Sequence, residues 1–134
     1  MIHQFLAGYT GYDAISNEAR IIRGHFREWG HPSEIYTALA HAPRQLCHDV
    51  REASVAAQDL EANDVALLHL SIGSPVNEIF ASLPCRKVIL YHNVTPSCFF
   101  DGLNPDLSDA LDQGRRQAGQ LAGVANVNLA DSAF

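Results

Sequence analysis

The chain has 134 residues, enough for one ordinary domain with a core of its own. Its apolar content of 47% and charged content of 18% are those of a globular protein, and a formal charge of −6 speaks against nucleic acid as a general partner, since phosphate binding needs a basic face. No apolar run approaches the roughly 20 residues of a membrane helix. The opening MIHQFLAGYT lacks a basic start and a cleavage site and reads as a strand, not a signal peptide. Cys47, Cys85 and Cys98 are an odd, widely spaced set, which suggests reduced thiols in a cytoplasmic protein and no disulfide frame.

Ile2 to Leu6 reads as a first strand, followed by a glycine-bearing loop from Gly8 to Asp13. Ile15, Ala19, Ile22, Phe26 and Trp29 then recur at helical spacing, with Asp13 as an N-cap and Gly30 just past the end. Ser33 to Ala38 forms a short second strand, completing a βαβ unit. His41 to Gln58 is a weak amphipathic helix or an irregular stretch. Val65 to Leu70 is a third strand, ending at Ser71-Ile72-Gly73-Ser74-Pro75, where Ser74 can cap a helix with Pro75 at its first position.

Lys87 to Tyr91 is a continuous apolar, β-prone run that reads as a central parallel strand covered on both faces. It delivers His92, Asn93 and Thr95 at its carboxyl end, before Pro96. A helix from about Ser108 to Ala122 and a fifth strand from Val124 to Ala130 complete the pattern. Strands alternating with helices predict an α/β, Rossmann-like, doubly wound parallel sheet of five strands in the order 3-2-1-4-5. Ligands bind such sheets at the carboxyl ends of the strands, where strand order reverses. The Gly8–Asp13 and His92–Thr95 loops are therefore expected to face each other there, with Ser71–Ser74 alongside. The abrupt stop at Phe134 suggests a piece of a longer protein.

These residues together resemble the N-terminal, acceptor-side domain of family 4 retaining glycosyltransferases of the GT-B fold. The resemblance spans essentially all of residues 1–134. It rests on His3-Gln4-Phe5-Leu6, Asp13-Ala14-Ile15-Ser16-Asn17, Ser33-Glu34-Ile35-Tyr36, His69 through Pro75, Tyr91 through Pro96, Gly114-Arg115 and Ala130-Asp131-Ser132. The sequence departs from the family pattern at Tyr12, which stands between Gly11 and the Asp-Ala-Ile run. The resemblance implies a retaining transfer of a hexosyl group from a nucleotide-sugar donor, such as a UDP- or GDP-sugar, to a carbohydrate or lipid-linked acceptor. It also implies a missing C-terminal half that carries most of the donor site, so that residues 1–134 alone are a poor catalyst. No metal or other cofactor is expected, and peripheral contact with a membrane is compatible with it.

Such a transfer develops positive charge at the sugar and releases a diphosphate, so the protein must stabilise the leaving group and position the acceptor. Gly8, Gly11, Tyr12 and Asp13, at a helix N-terminus, suit the donor phosphates; the plainer reading is a tight turn with Asp13 as a cap. His92 stands where the resemblance places a histidine on the donor sugar, and a neutral imidazole can hydrogen-bond a hydroxyl in either direction. Otherwise it is a satisfied strand-end histidine. Asn17, Ser71, Ser74, Asn93 and Thr95 are candidates for the acceptor, although Ser74 is first a cap. His69 alternates with apolar neighbours and is expected to be buried and hydrogen-bonded. The remaining histidines show no metal-ligand spacing, which argues against zinc.

Two other classes compete. A dinucleotide-dependent oxidoreductase or epimerase would carry three spaced glycines in the first βα turn and an acid near the end of the second strand, and neither is complete here. A non-catalytic flavodoxin-like interaction domain would need no polar crevice.

Overall fold

The computed structural model describes residues 1–132. The expected chain end at Ala133 and Phe134 lies outside the described residues. The elements in order are β1 (Ile2–Leu6), α1 (Ala14–Glu28), β2 (Ile35–Thr37), β3 (Arg51–Glu52), α2 (Ala56–Asp59), β4 (Val65–Leu70), α3 (Pro75–Ser82), β5 (Arg86–Tyr91), α4 (Pro105–Leu121) and β6 (Val127–Ala130). All strand pairs are parallel, in one six-stranded sheet ordered β3-β2-β1-β4-β5-β6.

The α/β class and the parallel sheet agree with the sequence pattern. The strand count and the strand order both need correction: six strands pair in place of the expected five. Val65–Leu70 does not lie outside the second strand: it pairs with β1 along its length and occupies the middle of the sheet as β4. The outer position falls to the two-residue strand β3, which the irregular 41–58 stretch supplies. That stretch is otherwise short 3-10 turns and the single-turn helix α2. The reversal of strand order therefore lies between β1 and β4, and β5 is second from the edge. Nor is β5 covered on both faces. Ile89 is buried, but Val88 and Leu90 are half-buried and the register partner β6 is exposed along its length.

Alternation along the strands divides the core between the two faces. Phe5, Leu68, Leu70 and Ile89 point to the side where α3 and α4 bring Val76, Phe80 and Leu121. Leu6 and Ile35 point to the other, against Ala19 of α1 and the buried Tyr9. Removing any one of the large buried side chains from water contributes about 1.5–3 kcal/mol, so both layers are needed to hold the sheet.

Local chemistry sets the helix ends. Asp13 accepts from the Ser16 amide at the start of α1, and Gly30 follows its end at φ +85°, a conformation that glycine adopts without strain. Ser74 and Asn104 cap α3 and α4, each with proline at the first turn. Lys87 folds its ammonium back onto the carbonyls of Leu83 and Cys85, beyond the end of α3.

Candidate functional site

The central strand β4 ends with His69 and Leu70, and the adjacent β5 ends at Tyr91. The His92 amide donates to the Leu70 carbonyl at 2.9 Å, which extends the ladder one step and fixes the His92 backbone beside β4. His92 Nε2 then lies 3.0 Å from His69 Nδ1. The ring centroids are 5.2 Å apart and the ring planes only 12° from parallel. That is nearly the largest centroid separation a 3.0 Å N···N contact permits, so the rings meet edge to edge and head-on through their nitrogens, not face to face. On its other side, His69 Nε2 lies 2.8 Å from Gln4 Oε1 of β1, and Gln4 Nε2 donates to the Ala19 carbonyl of α1 at 2.9 Å. Gln4 and His69 are fully buried polar groups, and each has the partners such groups require. Burial, with the nearby His92 adding to it, lowers the His69 pKa to about 3, so its imidazole is neutral.

Two carboxylates border the outer ring. Asp131, directly after β6, places Oδ2 3.0 Å from His92 Nδ1. Glu18, from α1, places Oε2 3.5 Å from His92 Nε2 and 4.0 Å from His69 Nδ1. Both carboxylates are 42% exposed, whereas the His92 side chain is 7% exposed. The group is thus a buried histidine supporting a nearly buried one, whose rim is two solvent-facing acids. Glu18, His69 and His92 also offer one ligand atom each within 4.8 Å. In this arrangement, however, the two histidine nitrogens point at each other and share a hydrogen bond. A shared metal would need both rings to turn away from that contact.

The glycine loop turns away from this cluster. The Tyr9 amide donates to the His41 carbonyl at 3.2 Å, and Gly8 and Gly11 lie against His41 and Leu46. Tyr12 is 98% exposed. Asp13 takes hydrogen bonds from the Ser16 amide at 2.8 Å, the Ser16 hydroxyl at 2.7 Å and the Thr10 hydroxyl. Partial burial works to raise its pKa, and these bonds outweigh that and bring it below the ordinary carboxylate value. The Asp13 carboxylate therefore sits on the first-turn amides that would otherwise attract an anion. Asn17 is exposed and accepts from Arg20.

The expected facing of the Gly8–Asp13 and His92–Thr95 loops is replaced by a different contact. What reaches His92 from the β1 side is the body of α1, through Glu18, while Gln4 of β1 reaches His69. Ser71 is half-buried in the loop after β4, and Ser74 is a buried N-cap that accepts from the Val76 amide. Asn77 and Gln117 lock this loop to α4, with the Asn77 amide donating to Gln117 Oε1 at 2.7 Å and to the Ile72 carbonyl at 3.0 Å. Asn93 and Thr95 are exposed beyond His92, and Asn93 adopts φ +54°. Between them Val94 is buried, its amide donating to the Tyr91 hydroxyl.

Of the sequence candidates, only His92 belongs to the cluster; Gln4, Glu18 and Asp131 are not among them. A signal existed for two members. Gln4 and His69 are buried polar residues within sheet strands, and such residues must find each other or another partner. Strand β2 ends on Thr37, not on the acid that a dinucleotide ribose requires. Comparison with protein-family models, with curated proteins and with solved structures gives no match.

Proposed function

We propose that this chain is the acceptor-side half of a retaining, nucleotide-sugar-dependent glycosyltransferase of the GT-B type. The observation that carries the reading is His92: a nearly buried imidazole at the carboxyl end of a parallel strand, one strand from the reversal of strand order, with carboxylates on its rim. Sugars present many hydroxyls, each both donor and acceptor. Imidazole and carboxylate groups side by side suit them, and fixed polar groups stabilise charge that develops only in the transition state. In this reading His92 contacts the donor sugar. Glu18 accepts a hydroxyl beside it, and Asn93 and Thr95 on the outer loop face the acceptor. The second domain supplies the rest of the nucleotide site.

The test is a screen of UDP- and GDP-hexoses against the full protein, following release of the nucleoside diphosphate. Donor-dependent release that falls about 10²-fold or more in His92→Ala supports the reading. Activity that needs no nucleotide-sugar, or that survives His92→Ala unchanged, overturns it.

A further inference from the structure

The hydrogen-bonded chain through the cluster runs between two groups that can only accept. At one end is the Ala19 carbonyl; at the other is the Asp131 carboxylate. The polarity of the chain can be followed from the first. The Ala19 carbonyl accepts a hydrogen bond from Gln4 Nε2, so Gln4 turns Oε1 toward His69. An amide oxygen only accepts, so His69 must donate through Nε2–H. A neutral His69 then has a bare Nδ1, which accepts, and His92 must donate to it through Nε2–H. Every proton in the chain is assigned in this way except the one on His92 Nδ1.

We infer that Gln4 and His69 are positioning residues that hold His92 in the Nε2–H tautomer, so that Nδ1 is the atom with which His92 meets the hydroxyl of a bound sugar. This deepens the glycosyltransferase reading and rests on it for the identity of the ligand. The physical consequence is a division of labour within one ring. Nε2 is committed to the buried side and anchors the ring's angle. Nδ1 accepts from a hydroxyl when bare and donates to Asp131 when protonated, a choice that a freely rotating strand-end histidine would not keep separate. Asp131 is exposed enough to move aside when a hydroxyl takes its place. The depressed pKa of His69 adds a second support, because a protonated His69 would present N–H to His92 and break the sequence of donors.

The decisive measurement is nitrogen NMR on the full protein labelled with ¹⁵N-histidine, which distinguishes protonated from bare ring nitrogens. The expected result is His69 with Nε2 protonated and Nδ1 bare from pH 7 to pH 5. His92 Nε2 should be protonated throughout. A proton on His69 Nδ1, or a neutral His92 in the Nδ1–H form, overturns the inference. Activity gives an independent arm. His69→Leu removes the acceptor, and kcat of donor-dependent transfer should fall about 10–100-fold, with KM for the donor changed less. His69→Asn, which restores an oxygen acceptor near the position of Nδ1, should recover most of it. Equal losses in both variants sink the positioning role. If the wild-type protein transfers no sugar, the function fails while the tautomer result still decides the inference about the ring.

Discussion

Gly114 of α4 rests directly on the backbone of Gly73 in the loop after β4. A methyl group on Gly114 would stand 2.7 Å from the Gly73 nitrogen and 2.9 Å from the Ile72 carbonyl carbon. The same contact lets the Gly73 amide donate to the Ala110 carbonyl at 2.9 Å. Backbone cannot swing aside as a side chain can, so α4 would have to lift off the loop. Gly114→Ala should therefore lower stability by about 1–3 kcal/mol in urea denaturation. Gly24→Ala, in α1 with no packing neighbour from outside its own turn of helix within 4 Å of the added carbon, should instead raise it by up to about 1 kcal/mol. Equal stability of the Gly114→Ala protein would mean that helix and loop are not in close contact.

Stability should depend on pH through His69. Its pKa is lowered from 6.5 to about 3 by burial, aided by His92. Below pH 6.5 the unfolded chain takes up this proton and the folded chain does not, so acid favours unfolding. The stabilisation is complete above pH 6.5 and is lost as pH falls toward 3, at no more than about 1.4 kcal/mol per pH unit. Glu18 and His92 face His69, and His3, whose pKa burial also lowers, adds a slope of the same sign elsewhere. The difference between wild type and His69→Asn therefore isolates the effect. Chemical denaturation at pH 7, 6 and 5 should show a shallower loss in the variant, and parallel curves would refute the assignment.

Asp13 should behave as a cap. Asp13→Ala removes the acceptor for the Ser16 amide and hydroxyl and should cost about 1 kcal/mol, whereas Asp13→Ser should retain most of the stability. Thermal or urea unfolding of the two variants separates them. A destabilisation shared by both would point to the carboxylate charge, not to the cap.

Asn93 holds the outer loop at φ +54°, a region open to asparagine and glycine and closed to β-branched residues. Asn93→Gly should be nearly neutral, and Asn93→Val should cost about 1–3 kcal/mol. Because His92 is the adjacent residue, the valine variant should also weaken any ligand contact at that ring. Unchanged stability of Asn93→Val would show that the loop does not need this conformation.

Much of this is legible in the sequence. The strand Val65–Leu70 carries its own apolar run, and Asp13, Ser74 and Gly30 are local devices whose effect spans a few residues. Alternation of strand and helix then implies a parallel α/β sheet, because parallel strands need crossovers. The order of strands is not local in that sense. A two-residue strand such as β3 has no apolar run to announce it.

By itself, then, the sequence determined the class of fold, the helix caps and the placement of His92 at a strand end, since each follows from chemistry within one turn or one strand. Only the tertiary structure decided that β4 lies between β1 and β5, and with it that Gln4, His69 and His92 form one hydrogen-bonded line. Gln4 and His69 are 65 positions apart in the chain and 2.8 Å apart in space. Glu18 and Asp131 join them from a helix and from beyond an edge strand, for which no spacing rule exists. The physical reason is that pairing between strands fixes register across the sheet, while sequence periodicity reports only which face each residue takes.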